Sequence, residues 1–342
     1  MTNQQLAAQT PQPAAASVPV PPQRTQAPQS WMVTVSDAKY YWYDLLAGIA
    51  ERPDIRDPVG RYIRRMEFEL DASAARRHLF FAVTRPRVRF DLAGAVQWGF
   101  FSLKLTLPLL RGAARTKDSI TVELRTPFAA TMKKPSVMLT ENFISLNWGG
   151  LVEVFSVHDL LRLYGHTQQL PGKVAYVGQT FDPEGRLGKG RLPAMHKVRA
   201  QFGEDYDTLL LVVGLAVEVN CAEGDPAAQP ANAEPQQADL LQAERLDLIE
   251  AALIRHFEGS QPRARHSAER QTRSERITAV RHSNQLVQYT IDLALPDAGN
   301  YHQLSSEFVS AAPRHLLSCF IADGQAHVAS MPLPPPPKRP PA

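Results

Sequence analysis

Residues 174–187 read VAYVGQTFDPEGRL, and the way this stretch is read decides the fold. Its first half, through Val177, is apolar and β-prone, so it reads as a strand. Gly178 ends the run, a polar turn follows, and Arg186 comes eight residues after the glycine. A strand that ends in this way, with a cation held just beyond it, raises the question of what the arginine faces. The partner proposed from sequence lies 64 residues downstream of Arg186, at Glu250.

Glu250 stands in ADLLQAERLDLIEAALIRHF, residues 238–257, the most regular helical pattern in the chain. At 100° per residue, Leu246, Ile249, Leu253 and Phe257 form one apolar stripe. Glu244 and Arg255 fall on the opposite side, whereas Glu250 falls inside the stripe. An ionised carboxylate there is costly unless a cation, hydrogen-bond donors or a metal ion meet it. Two readings follow, a carboxylate paired in a structural role or a metal ligand at the floor of a cleft.

Other elements around these two follow the same pattern. LVEVFSV (151–157) reads as a strand, HDLLRLYG (158–165) as a short helix and YDTLLLVVGLAVEV (206–219) as a buried strand. LPAMHKVRAQF (192–202) reads as a helix, with Pro193 in its first turn and Met195, Val198 and Phe202 on one face. Residues 31–149 are richer in strand patterns: WMVTVS, RYIRRMEFELD, HLFFAVTRPRVRFDL, FFSLKLTLPLL and SITVELR. DAKYYWYDLLAGIAE (37–51) reads there as a helix with Asp37 in its first turn. The expectation is an α+β chain. A strand-rich α+β domain at 30–149, of unknown role, precedes a domain at 150–300, and C-terminal strands follow at 301–330.

Three segments lack the composition for a core. They are the Ala/Pro/Gln-rich residues 1–29, an insertion at 220–238, and the Pro-rich tail at 331–342, which is also a candidate ligand for an aromatic groove. The 342 residues carry a formal charge of +3, compatible with nucleic acid but not diagnostic. Two cysteines, Cys221 and Cys319, make no disulfide framework, and the N-terminus lacks the pattern of a secretory signal. No apolar run is long enough to span a bilayer. A cytoplasmic location is expected. No Walker, Rossmann or nucleophile-elbow signature appears.

Tyr176-Val177-Gly178 at a strand end, Arg186 beyond it, a buried strand, and Glu250 ahead of Leu253, Ile254 and Phe257 together resemble the GIY-YIG nuclease family over residues 151–265. The resemblance implies a small three-stranded sheet flanked by helices. It also implies a metal-dependent endonuclease acting on DNA, with Glu250 as ligand to Mg²⁺ or Mn²⁺. Arg186 would clamp the phosphate, and Tyr176 would orient or activate water. His196 is a further candidate base. Gly178 would let the backbone approach a phosphate.

The chain departs from the family pattern at three places. Phe155 stands where a tyrosine is usual, with Tyr164 as a possible substitute. Arg265, after Pro262, stands where an asparagine is usual. Gly188 and Gly190 interrupt the helix that follows Arg186. The alternative is a catalytically inactive relative that binds nucleic acid or a protein partner, through the N-terminal domain or the Pro-rich tail. Arg255, Arg263, Arg265, Arg270, Arg273, Arg276 and Arg281 form either a phosphate-contact surface or a solvated connection.

Overall fold

A computed structural model describes residues 28–48, 54–74, 79–100, 102–125, 134–165, 170–179, 192–221, 235–259, 267–283, 286–295 and 300–333. Arg186, Gly188, Gly190, Pro262 and Arg265 lie outside the described residues, as do residues 1–27 and 334–342 and most of the insertion. Among the described residues the architecture is α+β and strand-rich: an eight-stranded, curled, mixed half-barrel sheet with two small antiparallel sheets and six helices.

The chain begins in β1 (Gln29–Trp42), turns through α1 (Tyr43–Ala47) and α2 (Pro58–Ala74), and enters β2 (Leu79–Pro86). Two small sheets follow. One contains β3 (Val88–Phe90), β4 (Gln97–Trp98), β5 (Lys104–Arg111) and β6 (Thr116–Glu123); the other contains β7 (Ser136–Leu139), β8 (Phe143–Asn147) and β9 (Val152–Ser156). Next come α3 (Val157–Tyr164), β10 (Gly172–Gln179), α4 (Pro193–Phe202), β11 (Tyr206–Cys221), α5 (Pro235–Phe257) and α6 (Ser267–Ser283). The chain closes with β12 (Leu286–Ala294), β13 (Leu304–Ser305), β14 (Arg314–Ala322) and β15 (Gln325–Ser330).

The large sheet runs β13-β10-β2-β11-β1-β12-β14-β15. β1 pairs parallel with β12 and β10 parallel with β13; the other neighbours are antiparallel. Period-two alternation divides its side chains between two cores. Leu79, Phe81 and Val83 of β2 and Leu209, Leu211 and Val213 of β11 belong to the first core. Phe80, Ala82, Leu210 and Val212 belong to the second. Side chains from α3, α5, α6 and both small sheets fill the first core, and those from α1, α2 and α4 fill the second. Phe81 meets Phe257 of α5 edge to face, with ring centroids 6.0 Å apart and planes at 87°. Each such fully buried large side chain contributes about 1.5–3 kcal/mol through removal from water.

Several elements differ from the sequence expectation. RYIRRMEFELD lies in α2, not in a strand. Met66, Phe68 and Leu70 alternate like strand residues, but Met66 and Leu70 are buried one helical turn apart and Phe68 is 74% exposed. DAKYYWYDLLAGIAE is helical only from Tyr43 to Ala47. The aromatic run before it continues β1, where Lys39–Trp42 pair with Leu209–Val212. Residues 235–238 of the expected insertion begin α5.

β9, which carries Phe155, sits in the small β7-β8-β9 sheet and does not neighbour β10. The strand between β10 and β11 is β2, from residues 79–86, bonded antiparallel to both. The large sheet therefore draws strands from both sides of residue 150, unlike the sheet expected within residues 150–300 alone.

Candidate functional site

β10 carries a bulge between Val174 and Tyr176, which changes the facing of the residues after it. Val174 and Val177 point into the first core, while Ala175 and Tyr176 pack with the second. The Tyr176 ring stacks on Phe80, with centroids 5.8 Å apart and planes at 28°. That stack explains the glycine after it. A Cβ at Gly178 would lie 2.7 Å from Tyr176 Cε1 and 2.8 Å from Phe80 Cζ. Gly178 is thus required by two aromatic rings packed over it, a different reason from the phosphate approach inferred from sequence.

Gln179, the last residue of β10, donates its side-chain amide to two carboxylates of α5. The Nε2 group bonds Glu250 Oε2 at 3.2 Å and also bonds Asp247 Oδ1. Asp247 and Glu250 are three residues apart, hence neighbours on one helix face. Arg276 of α6 approaches Asp247 Oδ2 at 3.7 Å. Glu250 is 2% exposed, among Ile249, Leu253 and Phe257 of the first core, so the sequence-based placement of a carboxylate inside the apolar face holds. Immediately after the helix end, Glu258 Oε1 accepts the Val177 backbone N–H at 2.9 Å and ties the same strand to α5.

Tyr176 and Glu250 therefore lie on opposite faces of the sheet. His196 accompanies Tyr176 rather than Glu250: it is an exposed residue of α4, edge-on to Tyr43 at 5.8 Å, while its neighbours Met195 and Val198 fill the second core. Tyr164, considered as a stand-in for the missing tyrosine, donates its hydroxyl to the Glu123 carbonyl at 3.1 Å. Arg186 lies seven residues past Gln179, outside the described residues.

The residues that meet at the end of β10 offer hard oxygen donors. Among the described residues no group of three or more His, Cys, Asp or Glu side chains is placed to hold a metal ion. Two carboxylates suit Mg²⁺ or Mn²⁺, because Mg²⁺ retains most of its waters and is commonly held by one or two carboxylates; the Gln179 amide faces them through its N–H donors. In donor chemistry the set fits such an ion.

A second buried polar centre escaped the sequence reading. Asp207, 0% exposed at the start of β11, accepts the Val88 backbone N–H at 2.9 Å. The same carboxylate meets Arg89 Nη1 at 2.8 Å and His158 Nε2 at 3.1 Å. His158 Nδ1 in turn meets the Tyr301 hydroxyl at 3.1 Å. Nε2 faces the carboxylate, and the Nδ1 side of the ring faces Tyr301. Burial alone would raise the Asp207 carboxyl. The His158 hydrogen bond and charge, then Arg89 and the Val88 N–H, outweigh it and hold it below the usual carboxylate value. The one sequence signal for this centre was an acid opening an otherwise apolar strand.

No helix among the described residues is long and apolar enough to cross a membrane. No protein-family model matches this chain, and no curated protein or solved structure matches it.

Proposed function

We propose that the chain is a divalent-metal-dependent endonuclease that hydrolyses DNA phosphodiester bonds, with Glu250 as the principal ligand to the ion. The observation that carries this reading is the meeting of Glu250, Asp247 and Gln179 at the end of β10, where the chain enters the segment that holds Arg186. It is supported further by the three-stranded antiparallel unit β10-β2-β11, with α4 on one face and α5 on the other.

In this reading Asp247 and Glu250 would hold Mg²⁺ or Mn²⁺, which would supply charge neutralisation at the attacked phosphate and its leaving oxygen. Gln179 orients both carboxylates. Arg186 clamps the remaining phosphate oxygens bidentately, as the family resemblance implies. Basic side chains between residues 255 and 282 hold the flanking backbone. Tyr176 and His196 contact neither the ion nor the attacking water, since they belong to the opposite face. This revises the roles the resemblance alone would give them.

One observation favours a second reading, a non-cleaving relative that binds nucleic acid or a protein partner. Glu250 is 2% exposed and already hydrogen-bonded, and a carboxylate so enclosed also suits a structural role. Incubation of the full chain with supercoiled plasmid, in Mg²⁺ or Mn²⁺ and in EDTA, separates the two. Nicking that needs the cation is expected. Retarded DNA migration without nicking under any cation would replace the first reading with the second.

A further inference from the structure

A cleft of about 340 Å³ opens at the Lys39–Trp42 end of β1, between α2 and the start of α3. No residue of β10 or α5 lines it, so it is separate from the Glu250 site. Its walls carry three cations and two acids. Lys39 Nζ lies 2.7 Å from Glu69, Arg65 Nε lies 3.8 Å from the same carboxylate, and Arg162 Nη2 lies 3.8 Å from Asp159. The Tyr62 hydroxyl already donates to Asp159 at 2.7 Å.

A fourth cation stands behind this wall. Arg85, 1% exposed, donates to the backbone carbonyls of Leu170 and Tyr301. Its Cζ lies 3.9 Å from the Tyr301 ring centroid, and its Nη2 meets the Tyr40 hydroxyl at 3.5 Å. These partners are neutral oxygens and a π face, so its charge is solvated by dipoles and not cancelled by them. Because Tyr40 accepts from Arg85, its own O–H remains a donor for the cleft that Tyr40 lines. Four cations (Lys39, Arg65, Arg85, Arg162) against two carboxylates (Glu69, Asp159) leave a formal surplus of two positive charges. The Asp207 carboxylate is matched separately by Arg89.

We propose that this cleft binds a phosphate monoester. Arg65, with an exposed side chain, and the half-buried Arg162 form the clamp for the phosphate; a guanidinium fork suits its oxygens. The Tyr40 and Tyr62 rings provide the surface for the organic part. The volume is in the range of sites for small ligands. Nucleoside monophosphate and free phosphate share the chemistry that the clamp reads. The proposal does not depend on the nuclease reading.

Isothermal titration of the full chain with adenosine 5′-monophosphate, inorganic phosphate and adenosine tests it. Saturable binding of the monophosphate is expected, with adenosine weaker by at least about tenfold, since it lacks the charge-assisted bonds. Phosphate binding as tightly as the nucleotide would support the site with free phosphate as its source. The R65A/R162A pair should lower affinity by about tenfold or more while the thermal melt is kept. Arg64→Ala on the same helix, outside the cleft and paired with Glu67, should leave affinity unchanged. No saturable binding of either phosphate compound would overturn the proposal. So would binding that survives the double substitution, equal binding of adenosine, or an equal loss from Arg64→Ala.

Discussion

Asp207 and Glu250 are both buried carboxylates, and they are surrounded in opposite ways. Asp207 is met by a guanidinium, an imidazole and a backbone N–H, drawn from β3 and α3. Glu250 shares the single amide of Gln179 with a second acid, Asp247. The first arrangement concentrates positive partners on a negative charge and fastens a small sheet to the large one. The second brings two carboxylates to one amide donor, with Arg276 3.7 Å from the Asp247 carboxylate. Burial alone therefore does not separate a structural acid from a candidate ligand.

The largest effect is expected at Asp207. Asp207→Asn leaves Arg89 and His158 without their shared counter-charge, and breaking such a pair costs about 3–5 kcal/mol. Urea denaturation measures it. A loss under about 1 kcal/mol would show that the network is not the fastening described here.

Gly178→Ala comes next. The added methyl group meets the Tyr176 and Phe80 rings at under 3 Å, and overpacking of this kind costs about 1–3 kcal/mol. Tyr176→Ala in the same chain removes one of the two rings, so a cycle of single and double variants should show coupling. Additive effects would mean that the glycine answers to something other than this stack.

A smaller effect comes with pH. His256 Nε2 and His315 Nδ1 lie 3.2 Å apart, both buried. Burial, then the neighbouring His315, lowers His256 to about 4, and burial lowers His315 as well. Both values lie below the ordinary 6.5, so the unfolded chain binds protons more readily. The pair's contribution is complete above about pH 6.5 and is lost as pH falls toward 4. Melting temperature should fall over that window, and His256→Gln should flatten the fall. An unchanged profile in that variant would assign the acid lability elsewhere.

Sequence reasoning reached the parts of the site written in local pattern. The strand that runs into Gly178, the helix over residues 192–202 and the buried acid at Glu250 each follow from period or composition within one segment, and the observed bounds, Gly172–Gln179 and Pro193–Phe202, differ by a residue. What it missed is non-local. Nothing in residues 79–86 announces that this strand lies between β10 and β11, because pairing partners are set by the whole sheet. The β10 bulge, which turns Tyr176 away from Glu250, has no composition signal either. His158, Asp207 and Tyr301 come from three distant segments, and only their meeting gives them meaning. α2 was misread because Met66, Phe68 and Leu70 satisfy two periods at once, and the packing of Met66 and Leu70 decides between them.

The most direct test of the Glu250 reading is Glu250→Gln, measured on one preparation for thermal melting and for cation-dependent plasmid nicking. The account predicts that nicking collapses while the melt is kept or rises, because one of two neighbouring acids has lost its charge at an apolar face. A variant that melts normally and nicks at the wild-type rate would contradict it. So would one that unfolds as Asp207→Asn is expected to, which would place Glu250 with Asp207 among the structural acids.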